Sequence, residues 1–175
     1  RIAEYYGCTG PPNTGVKMNP VEIAAQIKRI EGEEENLKGR MIQGIAAPSI
    51  FDESRGESVA AMMGRAPNFV YWTGGDNTRL AGKMQFHYRL AFDEEGRPML
   101  QVFDTCRHFI RTLPSLVYDE KRVEDIDTDQ EDHIYDETRY ALMTRCIRAR
   151  KSAVVHAYAA EDPLDLKPPA RLLRL

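Results

Sequence analysis

Cysteine is scarce in this chain: Cys8, Cys106 and Cys146 are widely spaced and odd in number. That points away from a disulfide framework and from a cysteine zinc site, and it fits a reducing, intracellular setting. Long apolar runs are lacking too. None approaches the roughly 18 residues that a membrane span needs, and no stretch reads as a signal peptide, so no membrane partner is expected. Nor does one sign of charge dominate. Against 27 Asp and Glu stand 24 Lys and Arg, a net charge of −3. This argues against a surface that coats nucleic acid broadly, but leaves room for a local basic strip. Finally, there is no Gly-rich loop ending in Gly-Lys-Ser or Gly-Lys-Thr, so an ATPase phosphate cradle is absent.

What is present is an ordinary globular composition, 42% hydrophobic and 29% charged over 175 residues, enough for one sizeable core. Residues 1–150 read as a single domain and 151–175 as an extended tail. The chain opens without a Met, on residues 2–6 that look like the end of a strand, and reads as part of something longer. Asn19-Pro-Val-Glu22 carries the marks of a helix start: Asn as cap, Pro at the first helical position, Glu three residues after the cap. Ile23, Ile27 and Ile30 mark its buried stripe, and Glu31–Asn36 its frayed acidic end. Residues 41–46 and Phe69–Trp72 read as short strands, and Met99–Phe103 as a buried one. Helices are expected at Glu57–Arg65, Thr78–Phe92 and Thr105–Thr112, with a turn at Asp93–Pro98. Strands alternating with helices imply an α/β domain with helices packed on a sheet.

The most informative stretch is Asp129–Arg145, read as a helix capped by Asp129 with Glu131 in its first turn. At about 100° per residue, Asp132, Asp136, Arg139 and Met143 share one side, and Ile134 and Ala141 the other. Carboxylates one turn apart repel and call for a cation, which is either Arg139 or a divalent ion. An exposed, charged helix face with a local salt bridge satisfies the same pattern.

Three blocks resemble the C-terminal nuclease domain of bacteriophage terminase large subunits. They are Gly44-Ile-Ala-Ala-Pro-Ser-Ile-Phe51, Asp76-Asn-Thr-Arg79 with Gly82 and Arg89-Leu90, and the run from Val102 through Pro114 and Tyr118-Asp119 to Asp132–Met143. The resemblance covers most of residues 1–145 and implies an RNase H-like fold, a mixed β-sheet flanked by helices. It further implies a cluster of acids holding two Mg²⁺ or Mn²⁺ ions that cleave double-stranded viral DNA. In that family the terminase small subunit and the portal protein are partners, and the host bacterial cytoplasm is the setting. By position, Asp132 and Asp136 are the implied catalytic and metal-binding acids, with His133 orienting water or contacting phosphate. A satisfied structural histidine explains His133 equally well.

The chain departs from that pattern at Ala47, where the family has an aspartate directly before the proline. Alanine cannot bind metal, so Ala47 marks an engineered inactivation, a natural loss, or a role moved to Asp52 or Glu53. A further aspartate belongs on the family's opening strand, and none stands in that place here. Asp76 or Asn77 reads as a helix cap, and the same segment as a DNA-facing loop that sets Arg79 on a phosphate, two readings that are compatible. Arg107, His108 and Arg111 form a DNA-backbone edge or are simply solvated. Cys106, Trp72, Phe86 and Tyr88 read as core or strand-face residues, and Arg145–Lys151 as a basic helix end. Two functions follow: a two-metal endonuclease domain impaired at position 47, or a catalytically inactive RNase H-like module that docks on DNA or a portal.

Overall fold

The computed structural model describes residues 1–11 and 14–147. The basic residues from Arg148 to Lys151 and the tail after them lie outside the described residues. Helix α1 (Pro20–Glu33) is followed by strand β1 (Gly44–Ala46), a 3-10 turn (Pro48–Phe51), helix α2 (Val59–Gly64) and strand β2 (Trp72–Gly74). Helices α3 (Arg79–Leu90), α4 (Arg107–Thr112) and α5 (His133–Met143) complete the order. The fold is therefore α/β, and its sheet among the described residues is one parallel pair, Gly44 opposite Trp72 through Ala46 opposite Gly74.

Local chemistry sets α1. The Asn19 side chain accepts from the Glu22 N–H at 3.0 Å, and the Glu22 carboxylate accepts from the Asn19 N–H at 2.7 Å. The stripe expected from Ile23, Ile27 and Ile30 is only half-buried, and Ala24 between them is the fully buried residue. It packs with Met63 and Val70, with Ile23, Ile27 and Trp72 around them. The larger core lies between α3, α4 and α5, built of Phe86, Cys106, Phe109, Ile126, Ile134 and Tyr135. There the Phe86 and Tyr135 rings stack at 4.9 Å. Burying a ring of that size contributes on the order of 1.5–3 kcal/mol. Tyr88, in contrast, is exposed rather than core.

Three expected strands come out differently. Residues 2–6 and Met99–Phe103 form no strand. Met99 and Phe103 are exposed, while Leu100 and Val102 pack on the core, so the run buries one face instead of two. Its backbone bonds go to no strand: the Leu100 N–H donates to Arg89 O at the end of α3, the Arg1 N–H₃⁺ donates to Gln101 O, and the Arg1 carbonyl accepts from Phe103 N. The third strand starts late. Phe69 adopts a left-handed φ of 51° and the Val70 N–H bonds back to Met63 O on α2, so pairing with β1 begins at Trp72.

Candidate functional site

The carboxyl ends of a parallel strand pair leave a crevice where ligands commonly bind. Here β1 ends directly before Ala47, and α5 runs across the opening. Gly75, just past β2, sits so close to α5 that a Cβ there would meet the Tyr140 ring at 2.6 Å. A cavity of about 580 Å³ results. Ala47, His133, Asp136, Glu137 and Tyr140 line it on one side, and Ile27, Ile45 and Trp72 are among its apolar wall. Three of the residues singled out from sequence, Ala47, His133 and Asp136, thus meet at one cavity.

Behind that wall lies a buried charged group. Arg139 is 0% exposed. Its Nε donates to Asp136 Oδ1 at 3.1 Å and its Nη2 to Asn77 Oδ1 at 2.9 Å. Arg79 donates from Nε to Asp125 Oδ2 at 2.6 Å and from Nη1 to Asp136 Oδ1 at 3.4 Å. Burial pulls the Arg79 pKa down, but the Asp125 bond and the Asp136 charge outweigh it and hold it above the ordinary value. For Asp125 burial pushes upward, yet the Arg79 bond and the Ile126 N–H leave its carboxyl below the usual range. Burial first, and then the Asp136 charge, raise the carboxyl of Asp132. Tyr135 beside them is pushed up to about 12 by burial.

Several expectations change with these contacts. The helix starts at His133, not Asp129; Asp132 takes the cap position in a helical conformation, and its side chain caps nothing. The side of α5 that carries Asp132, Asp136 and Arg139 is no solvated face, since Asp132 and Arg139 are buried against the fold. Asp132 is not among the residues lining the cavity, and neither is Asp52 nor Glu53. Asp52 instead turns its carboxylate onto Ser54. Arg79 is tied to two carboxylates and does not stand free for a phosphate. Neither Asp76 nor Asn77 is the cap of α3, a position held by Thr78. Asp76 Oδ1 accepts from the Thr78 N–H and hydroxyl, which lower its pKa.

On α4, the Arg111 guanidinium grips Glu131 with two bonds of 2.7 Å and holds that carboxyl down to about 2. Tyr6 joins the same carboxylate at 2.6 Å, and its ring stacks on His108 at 4.6 Å. Arg107 is exposed and has no side-chain bond among the described residues. His133 is also exposed, with Nδ1 3.8 Å from Asp132 Oδ1. Sequence reasoning missed Asp125, which sits in a Glu- and Asp-rich run resembling a solvated loop; the adjacent Ile126, a core residue, was its one cue.

The donors present do not fit a two-ion centre. Among the described residues no three His, Cys, Asp or Glu side chains gather where they could hold a metal ion. Position 47 offers a methyl group, and Asp136 Oδ1 already receives two guanidiniums. Compared with protein-family models, with curated proteins and with solved structures, the chain matches none. No helix among the described residues is long and apolar enough to cross a membrane.

Proposed function

We propose that this chain is a nuclease-type domain of a phage DNA-packaging terminase large subunit, RNase H-like in fold, whose acid centre is incomplete at Ala47. One observation carries the reading. Ala47 lies more than 80 residues before His133 and Asp136 in sequence, yet the three line a single cavity at the carboxyl end of β1. The resemblance puts an acid at position 47 and acids at Asp132 and Asp136, of which Asp136 lines the cavity and Asp132 does not. In that reading double-stranded DNA is the substrate, Mg²⁺ or Mn²⁺ the ions of the complete centre, and the small subunit and portal the partners in the host cytoplasm. Asp136 is the acid that reaches the cavity, and Asp132, buried beside it, does not.

A second reading rests on the pairing of Asp136 with Arg79 and Arg139 and on the methyl group at 47. It makes the domain a docking module for DNA or portal that does not cut. Nicking of supercoiled plasmid in Mn²⁺ separates the two. We expect the chain itself to be inert, Ala47→Asp to nick, and Ala47→Asp with Asp136→Asn to be inert again. DNA binding without nicking by Ala47→Asp supports the docking module. Neither binding nor nicking overturns both, and nicking that survives Asp136→Asn overturns the assignment of Asp136.

A further inference from the structure

Asp136 is held by one oxygen alone. Arg139 Nε and Nη2 each lie 3.1 Å from Oδ1, and Arg79 Nη1 lies 3.4 Å from the same atom. Oδ2 accepts nothing among the described residues, and the residue lines the cavity. Both guanidiniums are themselves fixed. Arg139 is fully buried, bonds Asn77 through Nη2, and lies 4.6 Å over the Tyr140 ring. Its aliphatic stem presses so tightly on α3 that a Cβ at Gly82 would come within 2.3 Å of Cγ. Arg79 is anchored by Asp125, itself 4% exposed.

We propose that Arg139 is a positioning residue for Asp136, with Arg79 as a second clamp and Gly82 as the seat that lets Arg139 in. The carboxylate is thereby presented to the cavity in one rotamer, with Oδ2 free. A carboxylate in the first turn of a helix would otherwise sample several rotamers, and a working group must be held within a fraction of an ångström. A guanidinium suits this because its planar fork serves Asp136 and Asn77 at once; a lysine ammonium lacks that fork. The geometry stands by itself, whereas its consequence for catalysis rests on the nuclease reading above.

The test therefore has two readouts. Three-bond couplings of the Asp136 side chain, measured by NMR, report its rotamer without reference to activity. We expect a single rotamer in the native chain and averaging in Arg139→Lys and Gly82→Ala. Should either unfold, Asn77→Ala removes one of the two partners of Nη2 while leaving each buried charge paired, and averaging is expected there as well. A native Asp136 that already averages, or one that keeps a single rotamer in the folded variants, overturns the proposal. The second readout is plasmid nicking in the Ala47→Asp background. Adding Arg139→Lys should lower kcat by about 10–100-fold and leave KM for DNA unchanged. If Ala47→Asp never nicks, the nuclease reading falls and positioning is decided by the couplings.

Discussion

Helices α1 and α5 begin in opposite ways. At α1 the cap, its acceptor and its reciprocal donor all lie within Asn19–Glu22, so the start is fixed before any tertiary contact forms. At α5 the side chain of the cap residue Asp132 makes no capping hydrogen bond. Its first turns are held from outside: Arg79 and Asn77 come from 57 and 62 residues away to meet Asp136 and Arg139. A helix start made of its own residues gains its stability locally, about 1 kcal/mol for a good cap. A start made of remote charges depends on the whole fold, because each buried ion is tolerable only while its partner is present.

That contrast can be broken most forcefully at Arg139. Arg139→Met keeps much of the volume but removes the main partner of Asp136, a half-buried carboxylate that keeps only Arg79. We expect a loss of about 1.5–3 kcal/mol in urea unfolding, the range for a hydrogen bond to a charged group.

Acid titration sharpens the contrast with a smaller effect, because two carboxylates around the start of α5 shift in opposite directions. Glu131 has its pKa lowered to about 2 from 4.5, so its contribution is present above about pH 4.5 and is lost as pH falls toward 2. In Arg111→Gln, the loss of Tm across that window should be smaller than in the native chain. Asp132 has its pKa raised, so its charged form costs stability at neutral pH and the cost fades as the group protonates. Asp132→Asn should raise Tm at pH 7 and leave it unchanged in strong acid. An equal gain at both pH values would show that charge is not the cause.

The smallest effect belongs to α1. Asn19→Ala should cost about 1 kcal/mol by the same unfolding measurement, with Asp136 side-chain couplings unchanged. A cost as large as that of Arg139→Met would mean that α1, too, depends on distant partners.

The sequence by itself determined what short-range chemistry can determine. It set the start of α1, the existence and approximate bounds of α2, α3 and α4, and the turn at Asp93–Pro98, where Asp93 Oδ1 accepts from the Glu95 and Arg97 N–H groups. It also marked position 47, Asp132, His133 and Asp136 through a resemblance of their flanking residues, and of these Asp132 does not reach the cavity. Only the tertiary structure decided the rest. A five-residue apolar run such as Met99–Phe103 becomes a strand only when a neighbouring strand takes its hydrogen bonds, and here they go to Arg1 and to Arg89 at the end of a helix. The pattern Asp132–Asp136–Arg139 reads equally well as a wet face or a buried ion group. The choice fell to Gly82, whose missing side chain admits Arg139 into α3, and to Asp125 and Asn77, whose oxygens make its burial and that of Arg79 affordable. Charge balance in a low-dielectric interior is a property of groups brought together from across the chain, and no local window contains it.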